Sequence, residues 1–325
     1  MKIAGFKVGN KKVFVIAEIG NNHNGSFDLA LEMVEAAHEA GADCVKFQMR
    51  NMSSVYRKKS LAKEGEDLGT EYVLDLLERF QLSQEEHKKV AEYCEHKGIL
   101  YMCTPWDSDS VRDLEFFNVQ AYKVASADLT NLPLIDTLVS TQKPLILSTG
   151  MSSKEEIQIT VNFLNKKKAE FALLHCNSTY PAPLHDINLN FINKLREIHP
   201  LIGYSGHERG IAVTLAAVGL GAKIVERHFT FDRDMEGPDH SASLEREEFK
   251  LLVSGIREIE EGLGDGLVRK ISQGEMINRE NLAKSLVASQ DLAKGTTIKS
   301  EHLKVLSPGQ GLSAQNYSKL LGRVL

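Results

Sequence analysis

The sequence of 325 residues contains no run of about 18 consecutive apolar residues, the length that a helix needs to span a bilayer. Its first residues, MKIAGFKVGNKKVF, also lack the long apolar stretch of a secretory signal peptide. Positive charge is not in excess, because 39 lysines and arginines stand against 44 aspartates and glutamates, giving a net charge of −5. We therefore expect neither a nucleic-acid partner nor binding to an anionic membrane.

Cysteine is scarce. The chain has four cysteines, Cys44, Cys94, Cys103 and Cys176, and no two of them form a CxxC pair. All but Cys94 lie in apolar segments typical of strands. Because unpaired, buried thiols are typical of proteins in a reducing compartment, we predict free cysteines and a cytoplasmic protein.

Short apolar runs with β-branched residues alternate along the chain with longer amphipathic segments. This order is typical of βαβ units with a parallel sheet. Helical spacing is visible in residues 29–40, 85–95 and 153–164, with Ser152 or Ser153 at the start of the third helix. The eight predicted strands are residues 14–18, 44–47, 100–104, 121–124, 145–148, 171–176, 201–205 and 223–228. This α/β pattern fits a closed (β/α)8 barrel, and by itself also fits an open doubly wound sheet.

Polar side chains at the strand ends favour the barrel. Nearly every predicted strand ends in residues that an apolar core would not hold: Glu18, Lys46 with Gln48, Thr104, Lys123 with Ser126, Ser148, Asn177 with Ser178, Ser205 with His207, and Glu226 with His228. In a barrel all carboxyl ends of the strands meet on one face, where active sites are built. An open sheet would gather only those at its switch point. We therefore predict a TIM barrel.

The pattern changes near the end of the chain. We assign residues 1–262 to the barrel and residues 263–282, which are polar and contain several glycines, to a linker. Residues 283–325 form a small terminal domain with short strands. About forty residues are marginal for an independent fold, so this domain is expected to pack against another surface.

Two histidines follow adjacent predicted strands. His207 lies just beyond the seventh strand and His228 ends the eighth. Neighbouring strands are about 4.8 Å apart, so the two imidazoles could share one divalent ion, with water and substrate oxygens completing its shell. The alternative is that each histidine is a hydrogen-bonded member of a polar cleft.

A set of cationic and hydroxyl side chains occupies the same predicted face. Its members are Lys46, Lys123, Ser126, Ser148 and Ser205. A phosphate with a neighbouring carboxylate needs about this number of donors, and lysine is a common phosphate ligand. Solvated rim residues are the simpler interpretation of each lysine. However, both lie inside apolar strands, VKF and YKVAS, so their ammonium groups need partners in the barrel mouth.

The motifs make the chain resemble the N-acetylneuraminate (sialic acid) synthase family, which includes legionaminic and pseudaminic acid synthases and spore-coat polysaccharide relatives. They are AEIGNNHNG (17–25), GADCVKFQ (41–48), CTPWD (103–107), KVASAD (123–128), STGMS (148–152), LHCNSTYPAP (174–183), GYSGHERG (203–210) and ERHFTFDRDMEGPDHSASLE (226–245). The segments SLVASQDLAKGTTI and SPGQG are similar to the family's antifreeze-like (SAF) domain. Together the motifs cover nearly the whole chain in order.

The resemblance implies roles for matching residues. The manganese ligands would be His207 and His228, with Mg2+ or Co2+ as substitutes. The phosphoenolpyruvate contacts would be Lys46, Thr104, Lys123, Ser126, Ser148, Ser178 and Ser205. The amino sugar would contact Glu18, Tyr180 and Asp239. Asp128, where many bacterial members have glutamate, would lie beside the reacting carbons, and either Glu18 or Asp128 could transfer protons.

The implied reaction joins phosphoenolpyruvate to the aldehyde of an acylated amino sugar, such as N-acetylmannosamine or a 2,4-diacetamido hexose, with release of phosphate. The resemblance also implies a domain-swapped homodimer in which the terminal domain covers the partner's barrel mouth. Two departures bear on that cover. Ser307 stands where many bacterial members place a sugar-contacting arginine, and the chain ends at Leu325, short of the family's final strand.

Two other functions remain open at this point. In the first, the acceptor is a phosphorylated aldose such as N-acetylmannosamine 6-phosphate, and Arg50, Arg57, Lys58 and Lys59 would supply charge for the distal phosphate. In the second, the chain is a carbohydrate-binding or ice-surface-like protein built on its terminal domain. That function leaves the histidines and the lysine–serine set unexplained.

Overall fold

The computed structural model describes residues 1–56 and 70–325, and the side chains of residues 70–73 are left out of the description. Eight parallel strands form a closed barrel in the order β10-β3-β4-β5-β6-β7-β8-β9. These strands are β3 (Phe14–Gly20), β4 (Cys44–Met49), β5 (Leu100–Pro105), β6 (Tyr122–Val124), β7 (Leu145–Ser148), β8 (Phe171–Cys176), β9 (Ile202–Gly206) and β10 (Ile224–His228). The predicted (β/α)8 barrel is thus confirmed, and the open sheet is excluded.

Helices follow the strands and cover the barrel. They are α1 (Phe27–Glu39), α2 (Met52–Val55), α3 (Thr70–Arg79), α4 (Gln84–Lys97), α5 (Ser108–Glu115), α6 (Leu132–Ser140), α7 (Lys154–Lys166), α8 (Phe191–Ile198), α9 (Ala212–Gly219) and α10 (Arg246–Leu263). Of the two serines considered for the start of α7, Ser153 is the N-cap, and it forms a capping box with Glu156. No helix in the described ranges is long and apolar enough to cross a membrane.

The barrel interior is apolar at one end and polar at the other. Because side chains alternate along a strand, every second residue points inward. The inward residues nearest the amino ends of the strands form one apolar cluster: Phe14, Ile16, Cys44, Met102, Ala121, Ile146, Ala172, Leu174 and Ile224. Further along the same rows the residues become charged or hydroxylic. A second, larger apolar cluster lies between the strands and the helices.

A small hairpin at the start of the chain closes the apolar end. Its strands are β1 (Lys2–Ile3) and β2 (Phe6–Lys7), which pair antiparallel. Ile3 and Val8 are buried in the inner barrel cluster. The sequence analysis did not predict this hairpin, because strands of two residues carry no alternation pattern. Its packing excludes water from the end of the barrel opposite the polar residues.

All four cysteines are buried and free, as predicted, and Cys94, the one outside the predicted strands, lies on the buried face of α4. Burial raises the pKa of the Cys44 thiol well above its usual value, and it raises the pKa of Cys94 and of Cys103 to about 12. These three thiols are therefore protonated at neutral pH and behave as small apolar side chains.

The chain separates into two compact units, Met1–Gly264 and Asp265–Leu325. The second unit contains α11 (Gln273–Leu282), β11 (Ser285–Ala288), β12 (Leu303–Leu306) and α12 (Tyr317–Leu320), and β11 pairs antiparallel with β12. The segment predicted as a linker therefore includes a helix, α11, which begins at a capping box between Ser272 and Glu275. The glycines of this segment were the reason for predicting a linker. One of them, Gly274, lies in the first turn of α11, where the helix tolerates it.

Two buried histidines should make the barrel acid-sensitive. Burial lowers the pKa of His23 to about 4 and that of His87 to about 3. The unfolded chain binds protons at these groups below about pH 6.5, whereas the folded chain does not. Their stabilising contribution is thus present above pH 6.5 and is lost as the pH falls. Each should reduce the free energy of unfolding by roughly 1.4 kcal/mol per pH unit between about pH 6 and pH 4.

Urea unfolding of His87→Gln across this pH range checks the expectation. Glutamine in α4 keeps a partner for the hydroxyl of Tyr101, which lies 3.0 Å from Nδ1 of His87, but it does not titrate. We expect the free energy of unfolding of this variant to depend less steeply on pH, by roughly the 1.4 kcal/mol per pH unit that one histidine contributes. The control is His96→Gln, at an exposed position on the same helix. A slope equal to that of the wild type in His87→Gln would contradict the assignment.

Candidate active site

A cavity opens at the carboxyl ends of the barrel strands. Its lining includes most residues that the sequence analysis singled out: Glu18, Lys46, Thr104, Lys123, Ser126, Ser148, Ser178, Tyr180, Ser205, His207 and His228. Strand alternation explains why these side chains meet in the cavity. On most strands the polar residue lies two positions beyond an inward-facing apolar residue, so it also points into the barrel. Strand register aligns them, since His228, Glu18 and Lys46 are lateral partners on β10, β3 and β4.

Two lysines and two glutamates form a charged network in the floor of the cavity. The ammonium of Lys46 lies 2.7 Å from Oε2 of Glu18 and 3.8 Å from Oε2 of Glu226, and it donates to Thr104. Lys123 lies 3.8 Å from Oε1 of Glu226. All four charged side chains are buried. Both ammonium groups therefore have partners inside the protein, as we expected for lysines that lie within apolar strands.

The two carboxylates differ in their protonation. Burial raises the pKa of Glu18 to about 7, and Lys46 only partly opposes this shift. Burial alone would also raise the pKa of Glu226, but Lys123 and Lys46 together lower it below the usual value. Glu226 is therefore a carboxylate at neutral pH. Glu18 is balanced between its two forms and can both accept and donate a proton.

Hydroxyl groups and one backbone amide adjoin Lys123. The ammonium of Lys123 donates to Oγ of Ser148 at 2.7 Å, and the amide of Gly150 donates to Oγ of Ser126 at 3.1 Å. The hydroxyl of Ser178 is buried and has no hydrogen-bond partner in the part of the chain that the structure describes. A side chain on Gly150 would fill this corner, because its Cβ would lie 2.2 Å from Oγ of Ser178. The corner is thus a small cradle of donors suited to an anion.

The two histidines lie together on the other side of the cavity. Their ring centroids are 5.4 Å apart. Nδ1 of His207 lies 2.6 Å from the carbonyl oxygen of Asn177. Because a carbonyl only accepts, that nitrogen carries the proton, and in the neutral ring the lone pair is on Nε2. Burial lowers the pKa of His207, but Cys176 and the Asn177 carbonyl outweigh it and raise the pKa above its usual value. Burial lowers the pKa of His228 well below its usual value, so His228 is neutral and its buried Nδ1 has no hydrogen-bond partner among the described residues.

Neutral imidazoles with available nitrogens are the ligands that divalent transition metals prefer. No group of three or more His, Cys, Asp or Glu side chains arranged for a metal occurs in residues 1–56 and 70–325. The histidine pair could therefore hold an ion only with oxygen ligands from water or substrate completing its shell. On these grounds the residues fit a metal that keeps open positions for a reactant.

Two other predicted residues lie beside the histidines. The ring of Tyr180 stacks on His207 with centroids 4.0 Å apart, and it meets His228 edge-on at 5.7 Å. Oδ2 of Asp239 lies 3.9 Å from Nδ1 of His228. Asp239 is not among the residues that line the cavity, but its contact with His228 places it at the rim of the same site.

Asp128 is the predicted site residue that the structure places apart from the others. Its side chain accepts a hydrogen bond from Asn131 at 2.9 Å, and it does not line the cavity. It follows the short strand β6 in a turn of 3-10 helix, where the two-residue alternation of the strand no longer holds. Its neighbours Ser126 and Ala127 do line the cavity.

Sequence reasoning gave Glu226 no role, although it named Glu226 as a strand-end residue. Strand alternation was the signal that could have found it, since Glu226 and His228 must share the inward face of β10. Gln48 and Trp106 also line the cavity, and the guanidinium of Arg50 stacks over Trp106 at 4.6 Å. Arg57, Lys58 and Lys59, considered for a distal phosphate, lie outside the described residues.

Comparison with known proteins identifies the family of this chain. Residues 33–268 match the NeuB family and residues 283–325 match the SAF domain. The chain is 39% identical over 321 residues to N,N'-diacetyllegionaminic acid synthase of Campylobacter jejuni, covering 97% of this chain and 96% of the relative. It is 34% identical to human N-acetylneuraminate-9-phosphate synthase, covering 97% and 89% of the two chains.

A solved structure agrees with these relatives. The crystal structure of N-acetylneuraminic acid (sialic acid) synthetase from Leptospira borgpetersenii in complex with citrate superimposes with a TM-score of 0.77 and 35% identity. The match covers 86% of this chain and 95% of the other. The resemblance drawn from the motifs is thus confirmed by the family match, the relatives and the fold. The chain belongs to the NeuB family and carries a SAF domain at its carboxyl-terminal end.

Proposed function

We propose that this protein condenses phosphoenolpyruvate with the aldehyde of an acylated amino sugar to give a nonulosonic acid and phosphate. The single observation that carries the proposal is the composition of the cavity. A buried lysine–hydroxyl cradle suited to phosphate and carboxylate lies in the same cavity as a pair of metal-competent histidines. Relatives named as legionaminic, pseudaminic and N-acetylneuraminate-9-phosphate synthases support the same reaction class.

The positive charge of two buried lysines assigns one half of the cavity to phosphoenolpyruvate. The substrate is highly anionic, and Lys46 and Lys123 are the buried cations that line the cavity. Ser178 offers a hydroxyl that has no partner in the described structure, so binding a phosphate oxygen costs no existing hydrogen bond. The remaining proposed contacts are Thr104, Ser126, Ser148 and Ser205. Glu226 lies between the lysines and holds both charges in place while the site is empty.

His207 and His228 are the proposed ligands of a divalent ion, with Mn2+ as the expected metal and Mg2+ or Co2+ as substitutes. When bound, such an ion acts as a Lewis acid toward an aldehyde oxygen. The hydrogen bond from Nδ1 of His207 to Asn177 leaves Nε2 for the metal. Tyr180 contacts both histidines and Asp239 contacts His228, and these two residues are the proposed contacts of the sugar, together with Glu18.

Glu18 is the proposed proton-transferring group. Carbon 3 of phosphoenolpyruvate forms a bond to the aldehyde carbon, water adds to carbon 2, and the C–O bond to phosphate breaks. The attacking water loses both protons as its oxygen becomes the carbonyl oxygen at carbon 2: one replaces the proton given to the aldehyde oxygen, and the other leaves with the phosphate. A carboxyl with a pKa of about 7 that lines the cavity is able to carry out both transfers. Asp128, which does not line the cavity and accepts a hydrogen bond from Asn131, is the weaker choice.

A phosphorylated acceptor is the less favoured alternative. Arg50, the described cation considered for a distal phosphate, is buried, stacks on Trp106 and donates to Gln48. Its guanidinium is therefore already held by a hydrogen bond and a ring contact inside the barrel mouth. Two relatives named N,N'-diacetyllegionaminic acid synthase are 39% and 37% identical to this chain, whereas the human N-acetylneuraminate-9-phosphate synthase is 34% identical.

Phosphate release in the purified protein tests the proposal. The assay combines phosphoenolpyruvate and Mn2+ with N-acetylmannosamine, its 6-phosphate, or a 2,4-diacetamido-trideoxy hexose. We expect release only when phosphoenolpyruvate and an unphosphorylated acylamino sugar are both present, and loss of release when the metal is chelated. Release from phosphoenolpyruvate alone would indicate a phosphatase. Turnover confined to the 6-phosphate would favour the alternative acceptor.

The proposed assembly is a homodimer in which the terminal unit of one chain covers the barrel mouth of its partner, and the proposed location is the cytoplasm. The buried free cysteines support a reducing compartment. The second unit buries few apolar side chains, principally Leu286 and Ile298, whereas Leu267, Val268 and Leu282 are exposed. A unit with so little core of its own is expected to pack against another surface.

Removal of the second unit checks the dimer. A chain that ends at Gly264 should keep a folded barrel but sediment as a monomer and release phosphate much more slowly, because water then enters the site. The matched control is Lys270→Ser in the full-length chain, which changes an exposed polar side chain of the same unit, removes no exposed apolar side chain and should leave the dimer intact. An active monomer of the full-length protein at micromolar concentration would refute the arrangement.

A further inference from the structure

A buried ion pair lies directly behind the two histidines. Nη1 of Arg227 is 3.0 Å from Oε1 of Glu208, and the two side chains are 0% and 1% exposed. Arg227 is the largest of the fully buried side chains in the described ranges. Neither residue lines the cavity, so the pair does not touch a reactant.

The pair is joined to the histidines through the chain. Arg227 immediately precedes His228 in β10, and Glu208 immediately follows His207 beyond β9. Because side chains alternate across a strand, Arg227 lies on the outer side of β10 when His228 faces the cavity. Its contact with Glu208 places that carboxylate on the same outer side. The ion pair therefore links the two histidine-bearing strand ends from behind.

The surrounding residues make the pair rigid. Nη1 of Arg227 also donates to Oγ1 of Thr214 at 2.8 Å and to the carbonyl of Gly210 at 2.7 Å, and Nη2 donates to the carbonyl of Glu208. The carboxylate of Glu208 accepts from Oγ1 of Thr214 at 3.0 Å and from the hydroxyl of Tyr204 at 2.7 Å. Both charged groups are thus held from several directions.

A glycine provides the space that the pair needs. Gly206 is the lateral partner of Arg227 on β9. A Cβ at Gly206 would lie 2.6 Å from Oε2 of Glu208 and 3.0 Å from Cδ of Arg227. A glycine at this position of β9, immediately before His207, therefore leaves room for both side chains of the ion pair.

Stability alone does not account for such an arrangement. Burying two charges has a large desolvation cost, and replacing a buried ion pair by apolar residues of similar volume is often neutral or stabilising. The pair does, however, impose a fixed distance and orientation. We propose that Arg227 and Glu208 are positioning residues that set the separation of His207 and His228, and thereby the affinity of that pair for its metal. This inference rests on the proposed function of the histidines.

The test replaces both charges at once. Arg227→Met combined with Glu208→Leu keeps the volume and leaves no charge unpaired. We expect this variant to fold with a similar melting temperature but to bind Mn2+ at least about tenfold more weakly by calorimetry, the effect typical of losing groups that orient metal ligands. The visible absorption of bound Co2+ should change as well, because it reports on ligand geometry. Glu208→Gln, which keeps hydrogen bonds to Tyr204 and Thr214, should show a smaller loss.

Arg257→Met serves as the matched control. Arg257 also donates to a backbone carbonyl, that of Val13, and pairs with Asp43 at 3.0 Å, but it lies near the opposite end of the barrel strands. It should alter stability without altering the affinity for Mn2+. Wild-type affinity in the double variant would overturn the positioning role and leave the proposed function standing. If the double variant does not fold, wild-type affinity in Glu208→Gln overturns it instead. A wild-type protein that binds no divalent metal would overturn both proposals.

Discussion

Changing His207 to alanine should abolish stoichiometric metal binding and reduce phosphate release by about a thousandfold. The estimate follows from losing several kcal/mol of stabilisation of the charge that develops on the aldehyde oxygen. His228 alone then offers one nitrogen ligand, which is too few for tight binding, and the described residues contain no group of three or more His, Cys, Asp or Glu side chains that could hold the ion instead. The two quantities to measure are Mn2+ content after dialysis and the rate of phosphate release.

The control is His96→Ala, which removes an exposed imidazole from α4, on the outside of the barrel. It should retain both metal and rate. If His207→Ala retains one equivalent of Mn2+ and a rate near that of the wild type, the histidine pair is not the metal site. The melting temperature of each variant separates loss of metal from loss of the fold.

Changing Gly150 to alanine should have the second largest effect, a decrease in kcat/KM for phosphoenolpyruvate of about a hundredfold or more. The added Cβ would lie 2.2 Å from Oγ of Ser178 and 2.8 Å from Oγ of Ser126. Both hydroxyls must then turn away, and each hydrogen bond to a charged group contributes about 1.5–3 kcal/mol. The KM of the amino sugar should change much less, because its proposed contacts lie on the histidine side.

Gly219→Ala is the matched control for this change. No atom lies within 4 Å of the Cβ that it would add, and it ends α9 on the outside of the barrel. Steady-state kinetics with each substrate varied in turn separates the two KM values. Equal losses for both substrates in Gly150→Ala would mean that the cradle of hydroxyls does not hold phosphoenolpyruvate.

The barrel and most of the cavity lining could be predicted from the sequence, because the alternation of side chains along a strand fixes which residues face the barrel interior. Lys46, Lys123 and Ser148 each occupy an inward position near the carboxyl end of a strand, where a polar residue interrupts an apolar run. A period of two residues then fixes the direction of the side chain. The resemblance added the identity of the ligands, which the pattern alone left open.

Side chains outside the strands could not be placed in this way. Asp128 lies in a turn of 3-10 helix after β6, and its direction depends on a hydrogen bond from Asn131 that no local pattern encodes. The role of Glu226 depends on the distance to Lys46 and Lys123, which lie on strands far away in the sequence. The amino-terminal hairpin depends on the size of the opening that Ile3 and Val8 fill.

The barrel closes between its first and last strands, and this affects how the protein is made. β3 pairs with β10, and Asn22 donates a hydrogen bond to the carbonyl of Phe229, 207 residues further along the chain. At a synthesis rate of about 5–20 residues per second, β3 emerges from the ribosome roughly 10–40 s before its partner. During that interval Glu18 and Lys46 have no closed cavity, and His228 has not been synthesised. The site is thus the last part of the barrel to assemble, so neither metal nor substrate can stabilise the nascent chain before closure.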